Sequence, residues 1–484
     1  MAGLAATAAP VGERSATDLA RAIASGELTS REVVQTHIDL LRSREPALGA
    51  IVRERFDDAL AEADAADEQV AAGGDLPRFH GVPCTIKESI AVEGAPLTAG
   101  VVARKGQVAS ETASTAARLL ATGAIRLGTT NTSELTMWIE SENRLWGRTN
   151  NAYDPSRTAG GSSGGEGAAV GSGGSPLGLG SDIGGSIRLP SFFNGVFGHK
   201  CSSWLVPNSG QWPPAEGDFT RMLAVGPIVR RAEDLMPVLE TIAGPDGVDP
   251  LTRDVELGDP AGVALDGLPV VISEDASVLP VARELLDARE RAAGALAAAG
   301  ASVRRESMRS IRRAMEYYLA TLASADGPDV WTLVSANPDV PPKLRTIARE
   351  AARGRGDHTL PLFFLLLGER LQQRAPEART RRAIEAGRAL AGEVEDTIGD
   401  GVLLHPPFPR VAPKHGRTVG RPWMLLPAAA FNLMGLPATQ IPLGLNGDGL
   451  PLGVQAVAAR DRDHVSIAVA IELERVFGGW VPPG

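Results

Sequence analysis

Two serines and one lysine carry the residue types and spacing that could do chemistry. Ser162 lies in Gly160-Gly161-Ser162-Ser163-Gly164-Gly165-Glu166-Gly167, and Ser186 follows in Asp182-Ile183-Gly184-Gly185-Ser186-Ile187-Arg188. Lys87 closes the upstream stretch Gly81-Val82-Pro83-Cys84-Thr85-Ile86-Lys87. Together they can supply a serine nucleophile, a proton relay, a base and an oxyanion site without any histidine. Only five of the 48 basic residues are lysine, so a chain that chooses Arg almost everywhere has kept an amine in an apolar stretch. A buried amine can give up its proton, whereas a guanidinium cannot. The alternative is a surface lysine closing a strand; the apolar run before it and the serine loops after it favour chemistry.

The elements that would hold these residues can be read from periodicity and punctuation. Val82 to Lys87 alternates as a strand, with Val82, Cys84 and Ile86 on one face and Pro83, Thr85 and Lys87 on the other. Cys84 and Lys87 therefore point apart, which disfavours a Cys-Lys pair. Thr112 to Thr122 reads as a helix and Ala124 to Gly128 as a strand leading into Thr129-Thr130-Asn131. From Gly160 to Ser186, 12 of 27 residues are glycine. A flexible linker would have that composition, but Ala168, Ala169, Val170, Leu177, Leu179 and Ile183 are spaced for packing. The spacing predicts a helix from about Ser163 to Val170 and a buried strand from Leu177 to Asp182. Ser162 then sits at a helix N-terminus and Ser186 in the loop after a strand.

Further out, Ser15-x-x-Asp18 and Thr29-x-x-Glu32 cap two N-terminal helices, the second expected to end before Pro46. A helix is expected from about Arg53 to Ala72. Val270 to Ile272, Val281 to Ala299 and Ala301 to Arg304 read as strand, helix and strand, after which the chain to about residue 400 is mostly helical. There Leu360 to Leu367 is an uninterrupted apolar run with Pro361 suited to a first helical turn; it reads as a core helix, or as a cavity wall or membrane-facing patch. Arg379 to Arg388 reads as a solvated helix face. Strands return at Ala438 to Pro442 and Pro451 to Val457, and a helix from Asp463 to Phe477 closes the chain. Such alternation argues an α/β fold with ligands at strand ends, taken here as one domain spanning residues 1–484, in which about 270–400 shapes the substrate cavity.

Composition narrows the class. The 484 residues carry a net charge of −10 with acids spread along the chain, which disfavours a nucleic-acid or anionic-membrane surface. Two cysteines suit a reducing, cytoplasmic setting. Met1 to Gly12 makes a poor leader peptide, and no stretch has the ~18 uninterrupted apolar residues of a membrane span. Neither a P-loop, a dinucleotide fingerprint nor a metal-ligand spacing is present, so no metal or other cofactor is expected.

The segment Gly160 to Arg188 resembles the amidase signature family, whose members cleave carboxamides with a Ser-cis-Ser-Lys triad. The resemblance extends to Gly128-Thr129-Thr130-Asn131, Gly226-Pro227 and Gly449-Leu450-Pro451-Leu452-Gly453-Val454-Gln455, and within the family it is nearest to the fatty acid amide hydrolases. It implies a central twisted mixed β-sheet covered by helices on both faces. It also implies Ser186 as nucleophile, Ser162 as bridging serine after a cis Gly161–Ser162 peptide, and Lys87 as base. The N–H groups of Ile183, Gly184, Gly185 and Ser186 would form the oxyanion hole, with Ser163 and Asp182 in support. Cys201-Ser202-Ser203 departs from the family's common Pro-Thr at that place. The substrate expected is a small-molecule amide with a hydrophobic acyl group, met by Met137 and Ile139; a homodimer is possible within the family.

Four other readings are weighed at this level. Gly160-x-Ser162-x-Gly164 also fits the nucleophile elbow of α/β-hydrolases, with Ser162 attacking and Asp and His downstream. The same triad serves the amidase subunit of a tRNA-dependent amidotransferase, against which Glu166 and Ile183 weigh, and it serves general short-chain or aryl amidases. An inactive scaffold is disfavoured because every triad position is filled.

Overall fold

The computed structural model describes residues 9–215, 217–324, 329–335, 343–372 and 376–484. Most of the Met1 to Gly12 segment lies outside them. The frame is an 11-stranded mixed sheet. In chain order its strands are β1 (Ile51–Glu54), β2 (Pro83–Lys87), β3 (Ile125–Thr130), and, after a separate ribbon of β4 (Glu142–Asn143) with β5 (Gly147–Arg148), β6 (Leu177–Asp182), β7 (Phe197–Lys200), β8 (Ala224–Val229), β9 (Pro269–Glu274), β10 (Ser302–Ser307), β11 (Val402–His405), β12 (Ala438–Leu445) and β13 (Pro451–Ala458). Across the sheet they run β1-β3-β2-β6-β8-β7-β12-β13-β11-β9-β10. Every residue of β2, β6, β8, β11 and β13 is buried, so side chains on both faces of the central strands are covered.

β2 lies parallel to both β3 and β6, which puts the strand carrying Lys87 between the strand that leads to Asn131 and the strand that ends at Asp182. The loops bearing Ser162 and Ser186 leave from the same neighbourhood. Glycine permits this. A side chain at Gly178 on β6 would collide with the Glu166 carboxylate, which reaches across from the helix Gly164–Gly171.

The N-terminal caps form as the sequence predicts: Ser15 Oγ accepts from the Asp18 N–H, and Thr29 and Glu32 make a reciprocal capping box. Two boundaries differ. The second helix runs through Pro46 to Leu48: the proline forfeits one backbone bond, but Leu48 beyond it packs into a core with Val34, Ile38 and Leu41, and Gly49 then ends the helix in the left-handed conformation. Arg53 belongs to β1, not to a helix; pairing of β1 with β3 overrides local propensity, and the helix begins at Phe56.

Among the described residues, the section after β10 is mostly helical, with helices Ala314–Ala323, Val330–Val334, Leu344–Ala352, Leu360–Gln372 and Glu377–Ile398. Leu362 and Leu366, one turn apart, pack with Val101, Leu135, Val334 and Ile347 in a satellite core. The apolar run at 360–367 is thus partly a core helix, and its other side faces a cavity described below. Arg379 is solvated as expected. Among the described residues, no helix is long and apolar enough to cross a membrane.

Candidate active site

The alternation along β2 sends Thr85 and Lys87 to one side. Lys87 is fully buried, and its Nζ lies 2.7 Å from Ser162 Oγ and 3.0 Å from Ser181 Oγ. Burial pushes the amine down to about 7, against the opposing pull of Asp182, Glu166 and Glu88. Glu166 is itself held by two hydroxyls, Thr85 Oγ1 and Thr130 Oγ1, each donating over 2.6 Å, and burial pushes its carboxyl up to about 7. Cys84 faces away, its thiol pushed up to about 12 by burial, so it has no thiolate to offer at neutral pH.

Ser162 follows a cis peptide from Gly161. Gly161 is pressed against the chain at Trp138 to Glu140, where a Cβ would come 2.6 Å from the Trp138 carbonyl oxygen. Ser141 fastens the turn from the same segment: its Oγ donates to the Ser162 carbonyl at 2.9 Å and accepts from the Gly164 N–H at 2.9 Å. Ser163 Oγ donates to the Ser181 carbonyl at 3.1 Å, and the Ser163 N–H donates to the Ser186 carbonyl at 3.2 Å. The two serine loops are therefore joined through Ser163. Ser141 and Ser181 were not singled out from sequence. Ser181 could have been, as the polar residue next to Asp182 on the strand beside β2, whereas Ser141 sits in a loop with no periodic signal.

The Ser186 loop is organised by Asp182. Its Oδ1 accepts from the Gly185 N–H at 2.6 Å and its Oδ2 from the Ile187 N–H at 3.1 Å, while Arg188 and Asn432 bind the same carboxylate. These charged and polar donors hold the carboxyl well below its usual range despite burial. One expectation changes here. The Gly185 N–H is committed to Asp182, which leaves the N–H groups of Ile183, Gly184 and Ser186 from the four-donor set. Ser186 is nearly buried, and its Oγ makes no hydrogen bond among the described residues. No histidine bonds either serine hydroxyl among those residues, so Ser162 lacks the partner an elbow nucleophile would need.

A cavity of about 590 Å³ opens onto Ser162, Ser181 and Ile183. Its walls are largely apolar: Leu135, Met137 and Trp138 on one side, Trp212, Phe219 and Leu223 on another, and Leu319, Leu322, Leu333, Phe364, Leu365 and Trp423 from the helical section and the loop near residue 420. Met137 is thus in the lining. Ile139 is not where the sequence placed it; it packs into the main core, and Trp138 takes the position toward the cavity.

Comparison with known proteins decides the family. The Amidase family profile matches residues 32–466. The chain belongs to the amidase family. This amidase is 41% identical to fatty-acid amide hydrolase 2-A of Danio rerio over 97% of its own length and 90% of that protein's. It is 39% identical to human fatty-acid amide hydrolase 2 over the same shares. Among solved structures, one from work on the origins of an s-triazine catabolic enzyme superposes with a TM-score of 0.83 at 26% identity, covering 97% of this chain and all of that one. The protein is an amide-hydrolysing enzyme, and its fold is that of the amidase signature enzymes.

Proposed function

We propose that this amidase hydrolyses amides of hydrophobic acyl groups through an acyl-enzyme on Ser186, with Ser162 as proton relay and Lys87 as base. The observation that carries the reading is the 2.7 Å contact between a fully buried Lys87 and Ser162. An amine near its half-neutral point can accept a proton from a hydroxyl, and a serine needs such a partner as it attacks. In acylation, Ser186 Oγ bonds to the carbonyl carbon and its proton passes to Ser162, whose own proton passes to Lys87. The N–H groups of Ile183, Gly184 and Ser186 receive the oxyanion. Return of the proton along the relay lets the amine leave, and water repeats the sequence to release the acid.

The acyl preference is supported by the apolar walls, by a volume within the ~300–1,000 Å³ usual for small-molecule sites, and by relatives named for fatty-acid amides. A fluorophosphonate should label Ser186, and an adduct on Ser162 would overturn the assignment. Across straight-chain primary amides from acetamide upward, kcat/KM should climb over several carbons, since each buried methylene contributes ~0.8 kcal/mol. A flat or falling series would assign a short-chain or aryl amidase instead.

A further inference from the structure

The helix Ala314–Ala323 turns Leu319, Leu322 and Ala323 into the cavity. Tyr318, on the same helix, presents its phenol to the loop that carries Ser186. A Cβ built on Gly184 would stand 2.9 Å from Tyr318 Oη and 3.5 Å from its Cζ, so the absence of a side chain at 184 is what lets the hydroxyl lie against this backbone. The ring is buried, with 4% of its surface exposed, and Oη has no hydrogen-bond partner among the described residues. A tyrosine hydroxyl in a buried setting normally finds a partner, so this one has its hydrogen bond left to give. At the same loop, the Gly185 N–H is taken by Asp182. The site therefore has one backbone donor fewer than its glycine-rich sequence suggests, and one unpaired phenol beside the gap.

We propose that Tyr318 is a further catalytic residue, its hydroxyl donating a hydrogen bond to the substrate carbonyl oxygen as that oxygen becomes an oxyanion beside Gly184. The proposal rests on the reading of Ser186 as nucleophile. When Ser186 Oγ bonds to the carbonyl carbon, the C=O π pair moves to oxygen; Tyr318 keeps its proton and supplies a fixed dipole. Burial, helped by the charge of Asp182, raises the phenol's pKa, so the group is a neutral donor throughout the working range. A donor in place before reaction costs no reorganisation at the transition state. Its position on a helix that also lines the cavity joins substrate recognition to chemistry.

The test is Tyr318→Phe, assayed on an amide and an ester of the same acyl group, with rates normalised to the fraction of enzyme labelled at Ser186 by a fluorophosphonate. The expected result is a loss of about 10²-fold in kcat for both substrates, with KM within about threefold. An aldehyde of that acyl group, which adds to Ser186 and carries an oxyanion, should lose a similar factor in affinity, while the matching alcohol should bind unchanged. Undiminished rates and aldehyde affinity with Ser186 labelled would overturn the role of Tyr318 alone. A loss confined to the amide would also overturn it, by assigning the hydroxyl to the departing nitrogen. Failure of wild-type Ser186 to label would instead overturn the nucleophile assignment.

Discussion

Arg188 and Asp182 form a two-pronged ion pair with neither side chain exposed, Nε to Oδ2 at 3.1 Å and Nη2 to Oδ1 at 3.2 Å. Arg188 also donates to Asn432 Oδ1, to Gln455 Oε1 at 2.9 Å and to the Ala428 carbonyl at 3.1 Å. The pair thereby ties the Ser186 loop to β13 and to the helix Leu426–Met434. Removing one partner strands a charge in a dry interior, which costs about 3–5 kcal/mol. Arg188→Met and Asp182→Asn should each lower the unfolding midpoint sharply. The double variant should lose less than the sum, because it leaves no unpaired charge. Additive losses in thermal or urea unfolding would contradict this account of the pair.

Lys87 permits a test that separates proton transfer from electrostatics. Lys87→Arg keeps a cation that cannot deprotonate, so it should be nearly as damaging as Lys87→Ala, with about 10²–10⁴ lost from kcat and from kcat/KM alike. The sign of the pH dependence follows from burial. The amine is charged and inactive below about 7 and neutral and competent above it, so kcat/KM should rise through that pH and then level. A folded Lys87→Arg enzyme within about threefold of wild type, only ~0.65 kcal/mol of barrier, would remove Lys87 from the base role.

Glu166 adjusts that same limb. Its carboxylate favours the charged form of Lys87, and the Lys87 cation in turn favours the charged form of Glu166. Glu166→Gln removes the negative charge and keeps the shape, so the acid limb of the pH profile should move to lower pH. A limb that stays in place, or moves to higher pH, would show that the charge of Glu166 does not act on the base.

What the sequence made legible follows from what acts locally. The strand from Leu177 to Asp182 and the helix from Asp463 to Phe477 coincide with β6 and the final helix, since periodicity and flanking residues settle them. Alternation along β2 separated Cys84 from Lys87 correctly for the same reason. Where the outcome depends on a distant partner, sequence gave no warning. Arg53 entered β1 because β3 pairs with it, Ile139 turned inward because the main core closes over it, and Ser141 reaches Ser162 only once the loops have met. The commitment of the Gly185 N–H to Asp182 is of this kind too: a glycine-rich turn announces available donors, and only the folded loop shows which is spent.

Gly368 offers a way to change substrate length without touching the chemistry. It lies on the helix Leu360–Gln372, one turn beyond Phe364 and Leu365, and all three line the cavity. A Cβ added there meets nothing within 4 Å, so a larger residue enters open space, and replacing a mid-helix glycine should leave stability equal or improved by up to ~1 kcal/mol. Gly368→Leu should therefore reduce kcat/KM for long-chain amides, which need the volume it fills. Acetamide and propionamide, which reach little beyond Ser162 and Ile183, should be hydrolysed as before. Because the expected changes in stability and long-chain activity have opposite signs, misfolding cannot imitate the result. An equal loss across all chain lengths in a variant at least as stable as wild type would mean that the acyl group does not pass along this wall.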